Sequence, residues 1–186
     1  LWGMGDMHLE VTLEHIRNRS AVEMTHHTPK VAYKETITGS GEGHYKHRKQ
    51  SGGRGQYGDT WLEIEPLPRG KGFEFVNKIV GGAIPKNYIP AVEKGIKEAM
   101  AAGVVAGYPI VDLKITLFDG SYHDVDSSDM AFKIAASMGF KKIFQEAKPI
   151  LLEPIVEITV SVPPEFVGEV TGDLNKRRGR VSNIEA

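Results

Sequence analysis

The sequence has no cysteine in its 186 residues, which excludes disulfide bonds and thiolate metal sites and fits a reducing compartment. No apolar run approaches the roughly 20 residues that a membrane-spanning helix needs, and the first residues do not resemble a signal peptide. We therefore expect a soluble protein of the cytoplasm or an equivalent compartment, with no membrane partner.

The motifs of nucleotide hydrolysis and of zinc binding are also missing. The nearest candidate for a phosphate-binding loop is Gly70 with Lys71, but Glu65 stands where its first glycine should be. There is no HExxH motif, and His8 and His15 are seven residues apart, about 10 Å of helix rise, too far to share one ion. We expect no catalysis, cofactor or metal in this chain.

Residues 123–129 hold every residue type of a serine hydrolase triad. They lie within one short turn and no G-x-S-x-G motif accompanies them, whereas triads are usually assembled from distant segments. Asp126 or Ser127 is better explained as the N-cap of a helix with Asp129 in its first turn. A small hydrolase that uses His123 and Ser127 remains an alternative.

The sequence does have a glycine-rich stretch joined to positive charge. Residues 50–58 read QSGGRGQYG, whose glycines permit a close approach to a partner. No acidic residue lies between His44 and Gly58, but four cations do: Lys46, Arg48, Lys49 and Arg54. Because the formal net charge of the chain is −1, nucleic-acid binding must depend on such local patches. This loop therefore points toward RNA.

A second basic group closes a predicted helix near the end of the chain: Lys176, Arg177, Arg178 and Arg180. Cations interact favourably with a helix C-terminus, and this interaction alone can explain their position. Contact with RNA phosphates is the functional alternative.

Hydrophobic periodicity predicts a mixed set of elements. Strands are expected at residues 22–24, 31–37, around 62–64, at 111–117, 156–162 and 181–184. Helices are expected from about residue 7 to 16, from 89 to 102 before Gly103, from about 127 to 148, and from 164 to 176. In the third helix we expect Met130, Ile134 and Met138 to form the buried stripe, and we expect residues 149–154 to be a linker.

The middle of the chain contains one complete domain, from about residue 29 to 149. The helix and strand before it and the β-α-β pattern after it have too little core to be stable alone. We therefore expect the chain to be a piece of a longer protein.

Several long motifs in register closely resemble bacterial and organellar translation elongation factor G. They are QSGGRGQYG at 50–58, GFEFVN at 72–77, IPKNYIPAVEKG at 84–95, AGYP at 106–109, GSYHDVDSSDMAFK at 120–133, LLEPI at 151–155 and GDLNKRRG at 172–179. The resemblance implies that residues 1–28 end the third domain of the factor, 29–150 form the fourth, and 151–186 begin the fifth.

The resemblance also implies an α+β fold. Its centre would be similar to the second domain of ribosomal protein S5, with an unusual left-handed βαβ crossover, flanked by partial ferredoxin-like pieces. The usual rule for such crossovers predicts the opposite hand.

In this family the tip of the fourth domain enters the decoding region of the small ribosomal subunit and follows tRNA and mRNA from the A site toward the P site. The implied tip residues are Ser51, Gly52, Gly53, Arg54, Gly55, Gln56 and Tyr57 in one loop, and Ser121, Tyr122, His123 and Asp124 in the other. The basic residues at 46–49 and 176–180 would contact RNA, the latter in the large subunit. GTP and Mg²⁺ would bind only to a GTPase domain that this sequence does not include.

Two departures from the common family pattern keep alternatives open. Residues 43–50 read GHYKHRKQ, richer in histidine and cations than expected, and the opening has GDM where GEL is more usual. The alternatives are a paralogue, of the ribosome-recycling or elongation-factor-like kind, and a stand-alone RNA-binding module. Elongation factor G and its paralogues would all be located in the bacterial cytoplasm or in an organellar matrix or stroma.

Overall fold

A computed structural model describes residues 3–20, 24–25, 27, 30–50, 53 and 55–185. The chain divides into two compact units, Leu1–Glu153 and Pro154–Ala186. Its strands are β1 (Lys34–Ile37), β2 (Gly41–Lys49), β3 (Gln56–Pro66), β4 (Phe73–Asn77), β5 (Leu113–Ser121) and β6 (Pro149–Leu152). Its α-helices are α1 (Asp6–Ser20), α2 (Ile89–Ala102), α3 (Asp129–Glu146) and α4 (Val167–Lys176).

The first unit contains two sheets. The larger has the order β2-β3-β5-β4, in which β2, β3 and β5 pair antiparallel and β4 pairs parallel with β5. The smaller is an antiparallel pair of β1 and β6. Parallel pairing of β4 with β5 across helix α2 makes a βαβ unit, and the α+β class is confirmed. The left-handed crossover stays a prediction from the resemblance.

Helices α2 and α3 cover one face of the larger sheet and enclose the core. The helix α2 begins as predicted, with Pro90 in its first turn, and ends at Gly103, whose φ of 74° suits a residue without a side chain. The strand predicted at 111–117 is confirmed in part: Leu113, Ile115 and Leu117 are fully buried, but the strand begins at Leu113 rather than Val111, and Thr116 is buried as well.

The prediction for the buried face of α3 was wrong. Met130 and Met138 are exposed and Ile134 is only partly buried. The helix instead buries Ala131, Phe132, Ala135, Ala136, Gly139, Phe140, Ile143 and Phe144. This second stripe is the buried one because its three phenylalanines bury more apolar area, and its small residues let the helix lie close to its neighbours.

The start of α3 also differs from the prediction. Its N-cap is Ser128, whose hydroxyl accepts a hydrogen bond from the backbone N–H of Ala131 at 3.2 Å. Asp126 and Ser127 lie before the cap and bond to strand β3 and the residue before it instead. The sequence offered three polar residues in a row, and propensity alone does not distinguish them.

Strand β2 was missed, and with it the position of three cations. Lys46, Arg48 and Lys49 lie on this strand rather than in a loop. Its sequence, GEGHYKHRK, lacks the apolar alternation that marks a strand. On the face toward α3 this strand has glycines in place of apolar residues. A Cβ at Gly43 would lie 2.7 Å from a side-chain carbon of Ile143, so the glycine permits the close approach of α3.

The predicted linker at residues 149–154 was wrong, because residues 149–152 form β6 and pair with β1. Proline is tolerated as the first residue of a strand, so Pro149 does not end the structure there. Leu151 lies opposite Glu35 in this ladder. Pairing of β6 with β1 therefore joins the beginning and the end of the region predicted to be the middle domain.

The strands expected at residues 156–162 and 181–184 are not formed. Residues 154–185 contain a 3₁₀ turn at Pro164–Phe166 followed by α4, and no strand. Ile155, Val156 and Ile158 are exposed. An alternating segment becomes a strand only when another strand satisfies its backbone, and none in the described part of this unit does. Of the strand expected at 22–24, residues 22 and 23 lie outside the described residues and Met24 is not in a strand.

A buried carboxylate joins β1 to the segment after α2. Glu35 is fully buried and accepts hydrogen bonds of 2.7 to 3.1 Å from four backbone N–H groups: Val104, Val105, Ala106 and Tyr108. Burial is the largest influence and acts to raise the pKa of Glu35, but the four donors together hold that pKa below its ordinary value of 4.5. The carboxylate therefore stabilises the folded state in its charged form.

Helix α3 approaches its neighbours closely at glycines. A Cβ at Gly58 in β3 would lie 2.6 Å from the carbonyl oxygen of Ala131, and one at Gly95 in α2 would meet the carbonyl of Lys133. Both neighbouring atoms are backbone, which cannot rotate out of the way. These glycines are required by packing rather than by backbone conformation.

We predict that Glu35→Gln destabilises the first unit in a pH-dependent way. Because the folded pKa lies below the unfolded one, the stabilisation is complete above about pH 4.5 and is lost as the pH falls through the folded pKa. Urea unfolding should show a loss of about 1.5–3 kcal/mol at pH 7 that shrinks toward acid. A loss that is the same at pH 7 and at acid pH would contradict this account of the charge.

We predict that Gly58→Ala lowers the free energy of unfolding by about 1–3 kcal/mol, since the added methyl group forces α3 away from β3. The matched control is Gly53→Ala, where nothing lies within 4 Å of the added carbon. Thermal and urea unfolding of both variants measure the difference. Equal stability of the two variants would show that α3 can shift at little cost.

Candidate nucleic-acid interface

Two chain connections meet at one end of the larger sheet. One joins β2 to β3, and the other runs from β5 to the start of α3. The N–H of Tyr57 donates to the carbonyl of Asp126 at 2.9 Å, and the hydroxyl of Ser127 donates to the carbonyl of Tyr57 at 2.9 Å. These bonds hold the first residues of β3 against the second connection.

Asp126 extends this contact toward the glycine-rich segment. Its carboxylate accepts a hydrogen bond from the N–H of Gly55 at 2.9 Å. A Cβ at Gly55 would lie 2.9 Å from the carboxylate carbon of Asp126, so the absence of a side chain permits the approach. The glycine-rich segment is therefore anchored at its end by the carboxylate of the neighbouring connection.

His123 lies on the outer side of the second connection, with 54% of its side chain exposed. Its Nδ1 accepts hydrogen bonds from the N–H groups of Val125 at 3.3 Å and Asp126 at 3.2 Å. In the neutral ring the proton then lies on Nε2. The turn fixes one nitrogen of the imidazole and leaves the other as a donor toward a partner.

A chain of polar contacts lies beneath these connections. The hydroxyl groups of Tyr57 and Ser121 are 2.7 Å apart, and Ser121 donates to the carboxylate of Asp59 at 2.7 Å. The other oxygen of Asp59 is 2.8 Å from Nε2 of His44, a close polar contact without the alignment of a hydrogen bond. Asp59 is 5% exposed, so its charge is balanced here by its neighbours rather than by water.

The structure brings together most of the tip residues named from the sequence. Gly53 and Gly55 lie in the first connection, and Tyr122, His123 and Asp124 lie in the second. Gln56 and Tyr57 begin β3, and Ser121 ends β5. Gln56 shares a hydrogen bond with His47 at 3.0 Å. Ser51, Gly52 and Arg54 lie outside the described residues. The contact of these residues with RNA stays a prediction.

The basic residues 176–180 belong to the second unit. Lys176 ends α4, and Arg177 donates to the carboxylate of Asp173 at 2.8 Å, one helical turn earlier. Arg178 has a φ of 62°, and the N–H of Gly179 donates to the carbonyl of Leu174 at 2.7 Å, which closes the helix. The helix-terminus explanation given for these cations is consistent with this geometry, and Arg180 follows the closing turn.

The hydrolase alternative loses its basis in this geometry. The hydroxyl of Ser127, a residue that is 3% exposed, donates to the carbonyl of Tyr57 and accepts from the backbone N–H of His123 at 2.9 Å. The imidazole of His123 is turned to backbone N–H groups instead. The serine is used as a structural link between two segments.

Within the described part of the chain, no group of three or more histidine, aspartate or glutamate side chains is placed to hold a metal ion. No helix found there combines the length and apolar character needed to cross a membrane.

Two family models match successive parts of the chain. The model described as "Elongation factor G, domain IV" matches residues 29–148, and the one described as "Elongation factor G C-terminus" matches residues 150–186. The chain belongs to the elongation factor G family. The two connections described above are thus part of domain IV of this family.

Individual relatives agree with the family models. The chain is 56% identical over 183 residues to "Elongation factor G" of Aquifex pyrophilus, a match that covers 98% of this chain and 26% of the relative. A crystal structure of a Thermus thermophilus protein is 49% identical, with a TM-score of 0.85, and the match covers all of this chain and 27% of that one. The chain spans about a quarter of the length of the relatives it matches.

Sequence reasoning missed the residues that hold the two connections together. The sequence pattern predicts a helix cap at Asp126 and says nothing of Asp59, although Asp126 bonds to Gly55 of the first connection and Asp59 bonds to Ser121 at the end of β5. Their partners are about 60 to 70 residues away along the chain, and no local spacing reports such a pair. The sequence feature that could have indicated Asp59 is its position in the strand after a glycine-rich loop.

We predict that Ser127→Ala loosens the two connections, because it leaves the carbonyl of Tyr57 and the N–H of His123 without their partner. The expected loss is about 1–3 kcal/mol in unfolding free energy, with faster hydrogen exchange at the N–H of Tyr57. The control is Ser128→Ala, which removes the cap of α3 at a cost of about 0.5–2 kcal/mol but leaves those two bonds. Exchange at Tyr57 that rises equally in both variants would contradict a specific link.

Proposed function

We propose that this chain is the part of an elongation factor G that enters the decoding region of the small ribosomal subunit and promotes movement of tRNA and mRNA from the A site to the P site. The observation that carries the proposal is the braced tip, in which backbone and carboxylate bonds fix the turn that presents His123. A flexible contact could bind a moving duplex but could not hold it against backward slippage.

The action of the tip is steric and electrostatic, and no covalent bond changes there. His123 offers one ring nitrogen as a donor from a fixed turn, and Tyr122 beside it is exposed. Donors and aromatic rings of this kind recognise RNA backbone, sugars and unstacked bases. The tip would occupy the space that the tRNA–mRNA duplex leaves, and so would block its return.

The remaining partners follow from the same proposal. GTP and Mg²⁺ would be bound by an N-terminal GTPase domain of the longer protein, which would supply the energy for the step. The cations at 176–180 would contact RNA of the large subunit, where cations gain affinity by releasing counterions from phosphates. The cations of β2 would contact RNA near the decoding region.

We predict that His123→Ala, made in the full-length factor that contains this sequence, slows single-round mRNA translocation on purified ribosomes about tenfold, a change of about 1.4 kcal/mol in barrier height. Ribosome-stimulated GTP hydrolysis should be largely unchanged. The matched control is Lys71→Ala, an exposed residue in the turn that follows the far end of β3, which should affect neither rate.

Three other results would each have a definite meaning. Equal loss of translocation and GTP hydrolysis would contradict a role specific to the tip, and normal translocation by His123→Ala would remove His123 from the mechanism. If the unchanged factor splits ribosomes but does not move mRNA, the protein is a recycling paralogue.

A further inference from the structure

One half of the larger sheet has an outer face that no helix in the described part of the first unit covers. Strand β2 turns Gly43 and Tyr45 toward α3, as the approach of Ile143 and Gly139 to them shows. Because side chains alternate along a strand, His44, Lys46 and Arg48 point to the opposite face. On β3 the same face carries Tyr57, Asp59 and Trp61, which lie directly opposite those three residues in the ladder.

Aromatic rings form a continuous strip on this outer face. The ring of His44 stacks on that of Trp61 with centroids 4.5 Å apart and planes inclined by 21°. Phe118, the extra residue where the pairing of β5 with β3 shifts, lies 6.2 Å from Trp61 between ring centroids. Trp61 is 36% exposed and the side chain of His44 is 37% exposed. Such a stack leaves planar surface for another ring.

Cations border the strip on the side toward the tip. The ammonium group of Lys46 lies 5.6 Å from the centroid of the Tyr57 ring and 3.8 Å from the carboxylate of Asp59, and 47% of the side chain is exposed. Arg48, two residues further along β2, is exposed. The carboxylate of Asp59 is buried and already in contact with His44, Lys46 and Ser121. Positive charge therefore dominates this end of the face.

The opposite end of the same face is acidic. Glu63 and Glu65 follow Trp61 along β3, and Glu65 is paired with Lys114 of β5 at 2.8 Å. Acidic groups repel a polyanion, so they limit any phosphate contact to the end near the tip. The face therefore has a direction, with aromatic rings at its centre and cations toward the two connections.

We propose that this outer face, formed by His44, Lys46, Arg48 and Trp61, is a second RNA-binding surface that stacks an unpaired base on the Trp61–His44 pair and holds the adjacent phosphates with Lys46 and Arg48. Exposed aromatic rings on an open sheet, bordered by cations, are the general means by which sheets bind single-stranded RNA. The surface is separate from the tip loops. It deepens the RNA contact proposed above for the cations of β2 and rests on that contact, while its test requires no translocation.

The arrangement favours RNA over a protein partner. The core of a protein interface is also rich in aromatic side chains, but it is depleted of charged residues, whereas the residues next to Trp61 are a histidine, a buried carboxylate and two cations. An acidic peptide could satisfy the cations but would not need the stacked rings. Dependence on the ring of Trp61 is therefore the property to measure.

The test uses the two tryptophans of the chain, Trp2 and Trp61. In a Trp2→Phe background the emission of the 186-residue chain reports Trp61 alone. Titration with a short single-stranded oligoadenylate should quench this emission, because a stacked base contacts the indole directly. The same RNA annealed to its complement has no unpaired base, and should quench much less at equal concentration.

Affinities of variants are then measured by fluorescence anisotropy of the labelled RNA. Trp61→Leu should weaken binding about tenfold, and Trp61→Phe, which keeps a planar ring, should recover most of the loss. Lys46→Ala should weaken binding and reduce its salt dependence. The matched control is Lys97→Ala, which removes an exposed lysine that also lies over a ring, that of Phe73 at 5.5 Å, and should leave affinity unchanged.

Three outcomes would overturn the proposal: unchanged Trp61 emission at saturating RNA, equal affinity of Trp61→Leu and the parent chain, or equal quenching by polyglutamate. Far-ultraviolet circular dichroism and the thermal midpoint of each variant show whether a loss of binding comes from unfolding. If Trp61→Leu folds poorly, the emission of the unchanged Trp61 and the affinity of Lys46→Ala still decide the test.

Discussion

The close approach of helix α3 to the sheet and to α2 is the constraint on which the rest of the first unit depends. Glycines stand where a side chain would collide with α3, at Gly43 and Gly58 on the sheet and at Gly95 on α2. At its contact positions α3 has alanines and Gly139, and phenylalanines lie between them. These close approaches fix the helix in position, because the backbone and side-chain atoms in contact there leave no room for a small displacement at low cost.

The fixed position of α3 determines the geometry of the tip. The helix starts beside Gly58, so its cap Ser128 and the residues before it lie against the first residues of β3. Ser127 and Asp126 can then bond to Tyr57 and Gly55, and the turn that carries His123 is held by the same residues. Elsewhere in the unit, Glu35 secures the segment after α2 in a similar way, with a carboxylate that accepts backbone N–H groups. Both segments are thus held by carboxylates that serve as acceptors for backbone.

Sequence reasoning succeeded where one local pattern determines the structure. The alternation of β5 and the proline and glycine at the two ends of α2 gave those elements correctly, and the motifs around His123 gave the family. It failed where tertiary packing decides between equal local patterns. Helix α3 has two apolar stripes, one with Met130 and Met138 and one with the phenylalanines. Their helical spacing is equally good, so spacing alone does not show which stripe is buried. Strand β2 was hidden because its packing face is glycine, which carries no hydrophobic signal.

The two surfaces of domain IV are joined through one polar network, and this bears on how they would act together. Asp59 contacts His44 and Lys46 on the outer face, and through Ser121 it reaches the hydroxyl of Tyr57 at the base of the tip. A phosphate held by Lys46 would compete with Asp59 for that cation, and the carboxylate would then depend more on Ser121. One buried carboxylate therefore contacts residues of the outer face and, through Ser121, the base of the tip, so a substitution of Asp59 would alter both surfaces.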